Sequence, residues 1–461
     1  MVAYTETDRH QYEYERRIGE LAVGVLIGIK LLAAYLFLAL IFPCCLQAQA
    51  SDPIATETKP CPTETTVEAS DTDSDPTNEK KTEQSCETEA NEVSEENRQK
   101  LISRISDNTL DFSTVERLLL GQSYLFYGRV DVDWGAFWGE PLSDEDGFSL
   151  RRLQVGIAGI ATFFDNLGYK VELDFSDGNN NFSDVYIQYD NPKFGSTRLG
   201  NQRVSQSFSA YTSSLSQLFM EPPLPVTAFS LARRIAISQS YYGEKWGVNG
   251  MYFGSDVNNS AGKSGGAIRA FVNPVRSDGG VAHIGFSWVT EKMKDNTRLR
   301  SLPESKVTDI YLVDTGIFHD VKDRQKLGLE FAGAVGATSS RLELFRTRWD
   351  RTDGKTNYFN GAYFELGRFL TGQSFKYTHG QFVRPTIESG SHAWEAGLRV
   401  SWADLDSRDV QGGEQVNFGV AVNYYRQQNL RVMMNLLRFN AKSVAGDDKG
   451  WILQARVQYN R

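Results

Sequence analysis

Residues 123–134 read SYLFYGRVDVDW. One parity of this stretch is Tyr124, Phe126, Gly128, Val130, Val132 and Trp134. The other is Ser123, Leu125, Tyr127, Arg129, Asp131 and Asp133. A strand sends alternate side chains to opposite faces. This stretch therefore predicts a strand with one apolar, aromatic face and one largely charged face. The pattern recurs outward from here. Leu153, Val155, Ile157, Gly159, Ala161 and Phe163 share one parity. So do Leu167, Tyr169, Val171, Leu173 and Phe175, set against Lys170, Glu172 and Asp174. Near the end of the chain, Trp451, Leu453, Ala455, Val457 and Tyr459 oppose Gln454, Arg456 and Gln458.

A soluble sandwich also alternates apolar and polar residues. Two features favour a transmembrane barrel instead. Aromatic residues stand at the ends of the apolar parity, where interfacial girdles belong. The opposite parity carries formal charge repeatedly, as a wet lumen would. Short Gly/Asp/Asn-rich breaks, such as Asp177-Gly178-Asn179-Asn180 and Asp353-Gly354, predict hairpin connections. Mean hydropathy is −0.40, too low for a bundle of membrane helices, each of which needs about 20 mostly apolar residues. The fold class expected is all-β, a transmembrane antiparallel β-barrel. Residues 101–461 allow roughly 23 residues per strand and connection for sixteen strands, which suits spans of about 9–11 residues. Fourteen or eighteen strands also satisfy this arithmetic.

The organisation expected is a signal peptide at 1–50, an acidic disordered linker at 51–110 and the barrel at 111–461. The run LLAAYLFLALIFPCCL (31–46) follows Arg16, Arg17 and Lys30, and Ala48-Gln49-Ala50 follows it. Basic flank, apolar core and small-x-small end describe a secretory signal; an uncleaved anchor helix is the competing reading. Residues 51–100 hold 14 acidic and 5 basic residues and little that is large and apolar. Such a segment buries too little surface to offset its ordering entropy. The whole chain carries a net charge of −9, yet residues 101–461 hold 39 acidic and 40 basic residues. A nearly neutral body lacks the concentrated basic footprint that nucleic acid requires.

All four cysteines, Cys44, Cys45, Cys61 and Cys86, precede the barrel. Cys61 and Cys86 are either a disulfide or two uninvolved thiols. No CxxC, HExxH or Cys/His cluster exists, so no metal site, catalytic residue or cofactor is expected. One stretch breaks the alternation: residues 201–230, with the apolar cluster Leu218, Phe219, Met220 and Leu224. It is expected to fold inward as a constriction loop, the alternative being an ordinary external loop.

Several segments in order resemble the phosphate-selective porin O and P family. They are Tyr127-Gly128-Arg129-Val130-Asp131-Val132-Asp133-Trp134, the pair Arg151-Arg152, and Tyr169-Lys170-Val171-Glu172-Leu173-Asp174. Further along come Ile268-Arg269 through Pro274, Thr297-Arg298-Leu299-Arg300, Gly328-Leu329-Glu330-Phe331-Ala332, Leu370-Thr371-Gly372-Gln373 and Ala393-Trp394-Glu395. The resemblance spans about residues 122–459. It implies a sixteen-stranded, trimeric barrel in the bacterial outer membrane, in contact with outer-membrane lipid. Its lumen would be lined by Arg and Lys and would pass small anions such as phosphate. The anion-binding, pore-lining residues it implies are Arg129, Arg151, Arg152, Asp174, Ser213, Ser214, Arg269, Arg298 and Arg300. Strand parity independently turns Arg129 and Arg152 inward. It turns Arg151 outward, unless that residue snorkels at the strand end or sits at a bulge.

Two departures bear on the solute. In the family a Lys precedes the loop's Thr-Ser-Ser by two residues, and an Arg follows its Glu. Here those positions hold Ala210 and Pro222, around a retained Thr212-Ser213-Ser214 and Glu221. The family ends in an aromatic residue, whereas Asn460 and Arg461 follow Tyr459 here. The function expected is passive diffusion of anions through a water-filled channel. The alternative is a non-conducting barrel with an adhesive or structural envelope role.

Overall fold

The computed structural model describes residues 124–161, 166–176, 181–258, 264–277, 279–294, 296–388, 390–444 and 446–461. The expected signal peptide and acidic linker lie outside the described residues, as do all four cysteines.

Sixteen antiparallel strands close into one barrel. In chain order these begin β1 (Tyr124–Trp138), β2 (Gly147–Ile160), β3 (Leu167–Asp174), β4 (Asn181–Asn191), β5 (Gly195–Arg203), β6 (Arg233–Tyr242), β7 (Trp246–Phe253), β8 (Ser264–Ser277) and β9 (Gly280–Lys292). They continue with β12 (Val321–Val335), β13 (Thr338–Arg351), β14 (Thr356–Phe369), β17 (His392–Ser407), β18 (Val410–Arg426), β19 (Leu430–Ser443) and β20 (Gly446–Asn460). Two short hairpins stand apart from the wall: β10 (Arg300–Ser301) with β11 (Val313–Asp314), and β15 (Lys376–Thr378) with β16 (Gln381–Val383). β1 closes on β20, Trp138 beside Trp451 and Arg129 beside Asn460. Closure removes every free edge, the condition for a sheet to cross lipid.

The expected parity holds along β1. Tyr124, Phe126, Val130 and Val132 are exposed, while Arg129, Asp131 and Asp133 are buried. A barrel facing lipid is apolar outside and polar inside, so exposed leucines and buried arginines are what this environment selects. At the β1–β2 ladder, Asp131 pairs with Arg152 but Val132 pairs with Leu150. Arg151 is therefore an extra residue in the ladder. This bulge turns both arginines to the lumen, which simple alternation would not do.

Three segments fold into the barrel. Residues 204–232, between β5 and β6, fold inward and carry two short helices, α1 (Phe208–Tyr211) and α2 (Leu224–Phe229). From the opposite rim, the β15–β16 hairpin folds in to meet them, with the rings of Phe382 and Phe208 5.2 Å apart. A third insertion, between β9 and β12, buries Leu299 and Leu302.

Candidate functional site: the lumen beside the inserted loop

The inserted loop is seated by apolar contact. Val226 and Phe229 pack with Phe345, Trp349, Phe359 and Tyr363 of the wall. Leu218 and Phe219 pack with Ala421, Leu437 and Phe439. The wall makes room with glycine: a Cβ on Gly397 would stand 2.3 Å from the Leu218 side chain, and one on Gly419 2.7 Å from the Phe219 ring. Such burial stabilises by roughly 25 cal/mol per Å² of apolar surface removed from water. It also removes the loop's backbone from water, so those groups need partners.

Wall side chains supply them. Glu343 on β13 accepts from the amides of Phe208 (2.9 Å) and Ser209 (2.8 Å). Asn435 accepts from the Met220 amide at 2.9 Å. Arg399 donates to the Glu221 carbonyl (2.8 Å), Arg431 to that of Gln217 (2.7 Å) and Arg456 to that of Met220 (2.7 Å). These three wall arginines hold the loop.

Glu221 clamps the loop to β2 and β20, on either side of β1. It accepts from Arg151 at 2.7 and 3.0 Å and from Arg456 at 2.6 Å. Burial alone would raise its carboxyl, but the guanidiniums of Arg151 and Arg456 outweigh burial and hold it well below the usual carboxylate range.

Between the loop and the β1–β6 side of the wall lies a cavity of about 450 Å³. Arg129, Arg151, Arg152, Asp174, Ser213 and Ser214, all named from sequence, line it together. Arg129 donates to Asp131 at 2.8 Å and to the Ser214 hydroxyl at 2.8 Å. Arg152 donates to the same Asp131 at 3.0 Å. Asp174 accepts from Gln154 at 2.9 Å and from the Ser176 amide at 3.0 Å. Ala210 and Pro222 also line the cavity.

The other three residues named from sequence lie elsewhere. Arg269 is buried on β8 against Glu330 at 2.7 Å and donates to the Gly380 carbonyl of the hairpin. Arg298 and Arg300 belong to the segment between β9 and β12. Arg298 pairs with Asp314, and Arg300 lies over the Tyr311 ring at 3.9 Å.

Four cavity cations were missed: Arg203, Arg233, Lys306 and Arg461. Arg203 and Arg233 end β5 and begin β6, the two stems of the loop. That position was available as a signal, because residues at the stems of an infolded loop face whatever the loop narrows. Arg233 donates to Asp184 at 2.6 Å. Arg203 donates to the Thr212 carbonyl at 3.1 Å and, among the described residues, has no carboxylate within ion-pair distance. Seven basic side chains and three acidic ones, Glu172, Asp174 and Glu221, therefore line the cavity.

The model of the family described as phosphate-selective porin O and P matches residues 125–460. The chain belongs to that family. An uncharacterized protein of Caulobacter vibrioides (strain ATCC 19089 / CIP 103742 / CB 15) is 29% identical over 341 residues, 68% of each chain. Among solved structures, the in-vitro folded OmpT of Vibrio cholerae, an outer membrane protein, is similar. Its TM-score is 0.50 at 12% identity, covering 73% of this chain and 97% of that one. The anion-selective porin from Comamonas acidovorans has a TM-score of 0.48 at 13% identity, covering 73% and 99%. The protein is an outer-membrane porin with a closed sixteen-stranded barrel, located in the bacterial outer membrane.

Proposed function

We propose that this porin passes small anions, phosphate among them, by passive diffusion through the cavity between the inserted loop and the β1–β6 wall. The observation that carries the proposal is the cavity's charge, seven basic groups to three acidic. An anion leaving water loses hydration, and guanidinium donors along its path replace it. Arg203, held only through the Thr212 carbonyl, and Arg152, held to Asp131 through Nη1, keep donors for anion oxygens and stay charged at any physiological pH, while Arg129, both fork donors of which are held by Asp131, contributes positive field. The hydroxyls of Ser213 and Ser214 add neutral donors. Asp131 and Asp174 fix their neighbours in place. The lining carboxylates also weaken the field, so that an ion binds loosely enough to leave.

Phosphate itself should be held weakly. Ala210 and Pro222 face the cavity where the family's loop carries cations. Each missing charge, at about 6 Å in a medium of effective dielectric near 20, amounts to on the order of 1–3 kcal/mol before screening. The same proposal includes a homotrimer, cleavage after Ala50 and a solvated acidic linker.

Planar-bilayer recording in a potassium chloride gradient tests it. The expected reversal potential shows preference for chloride, with only slight block by millimolar phosphate. The double variant Ala210→Lys with Pro222→Arg should strengthen the block. Cation preference, or tight block of the unmodified channel, would overturn the proposal. Absence of conductance would favour a structural envelope role.

A further inference from the structure

The outside of the barrel carries a second charged feature that ion conduction does not use. Phe345, Thr347 and Trp349 on β13 are 4%, 1% and 0% exposed, so Arg346 and Arg348 between them point outward. Arg348 is 45% exposed. Both stand toward the Arg351 end of β13. The long insertions 204–232 and 293–320 share that end of the barrel. Short turns face the periplasm and long loops the exterior, so this is the outer rim.

The height of these arginines follows from the order of outward residues along β13. Arg346 pairs with Leu327 on β12, and Leu327 pairs with Trp288 on β9. Leu327 and Trp288 are both exposed, on the lipid-facing side. Along β13 the outward residues run Leu342, Leu344, Arg346 and Arg348, so Arg346 is the first charge beyond the apolar stretch, with Leu344 below it and an outward tryptophan two strands away. An arginine facing lipid is costly at mid-bilayer and nearly free at this height.

The chemistry around Arg346 awaits an anion. Its guanidinium stacks over the Tyr358 ring at 4.6 Å, and among the described residues it makes no ion pair. Its neighbour on β14 is Asn360, and Arg348 lies beside Gln325 and Tyr358, all uncharged. Arg348 is ion-paired with Asp350, through Nε at 2.9 Å and Nη2 at 2.7 Å, which takes one edge of its guanidinium and leaves Nη1 for a second anion. The arrangement recurs on the barrel: outward Arg438 on β19 lies 5.2 Å from the Trp451 ring and has no ion pair among the described residues.

We propose that Arg346 and Arg348, with Tyr358 beneath, form an external site for the phosphate headgroup of an outer-leaflet lipid. A guanidinium fork matches phosphate oxygens, and exposed Leu327 beside it and Leu344 below it receive acyl chains. The lipid is the occupant because the site opens onto the bilayer and not the lumen. The inference rests on the barrel and its orientation, and stands whether or not the lumen selects anions.

Native mass spectrometry of the full chain, released from detergent and titrated with diphosphorylated lipid A, tests it. Arg346→Ala with Arg348→Ala should lower retention of that lipid at least tenfold. Dephosphorylated lipid A should bind wild type and variant alike, and Arg346→Lys with Arg348→Lys should be intermediate. Single-channel conductance should not change. If the double variant does not shift on a gel with heating, as a folded barrel does, Arg346→Gln alone carries the comparison. Equal retention by variant and wild type would overturn the proposal. So would a wild type indifferent to the lipid's phosphates, or a variant that loses subunits and keeps its lipid.

Discussion

Asp131 shows what a buried charge does in a lumen. It is fully buried and accepts from both Arg129 and Arg152. Replacing it by Asn leaves two buried guanidiniums facing a neutral amide, and breaking a buried pair costs about 3–5 kcal/mol. Asp131→Asn should therefore lower the temperature at which the barrel's gel mobility shifts, while Asp131→Glu should largely keep it. Arg203 makes the opposite case, because it has no such carboxylate to satisfy. Arg203→Gln should leave that temperature nearly unchanged. It should lower the chloride-to-potassium permeability ratio by a factor of about five, since one screened charge is worth about 1 kcal/mol here. Parity was enough to turn Arg129 and Arg152 inward, because alternation is a backbone property readable from one strand. It left Arg151 outward unless a bulge intervened, and a bulge depends on the partner strand. It passed over Arg203 because that residue matters only through a loop folded back against it.

At the scale of elements, the inserted loop was legible and the hairpin was not. Leu218, Phe219, Met220 and Leu224 interrupt an alternating pattern with an apolar cluster too large to leave in water, which requires a surface to pack on. Residues 370–391 gave a weaker signal. Phe375, Tyr377 and Phe382 are spaced as a hairpin around Gly380, at φ +80°, but their partners are distant: Phe208 on the loop and His283 on the wall. Only the closed barrel brings those together. Replacing residues 373–388 by a short Asn-Gly turn should raise single-channel conductance, because the hairpin fills the rim below the loop. A variant that folds and conducts as before would show the hairpin never limited the current. Gly397→Val should act from the other side. With 2.3 Å between a Cβ and Leu218, the loop has to lift, and conductance should become larger and noisier.

At the scale of the molecule, the antiparallel barrel and its outward apolar face were readable from period-two alternation, while chain length favoured sixteen strands but also allowed fourteen or eighteen. That legibility has a physical cause: lipid outside and water inside impose one rule on every strand, so each reports the same architecture. Subunit association obeys no such repeating rule and needs its own measurement. Mild-detergent mass measurement should give a trimer whose gel mobility shifts on boiling; a monomeric mass with an unshifted band would exclude it.

The clamp of Glu221 between Arg151 and Arg456 has an engineering consequence. Apart from that carboxylate, the charged groups bordering the cavity are mounted on the wall, at the stems of the loop or on neighbouring segments. The loop sets the bore and the frame sets the polarity. A peptide recognising an analyte could replace the stretch between Phe208 and Met220, with Glu221 and both stems kept. A nanopore sensor built this way should change its current when the analyte docks and retain its sign of rectification.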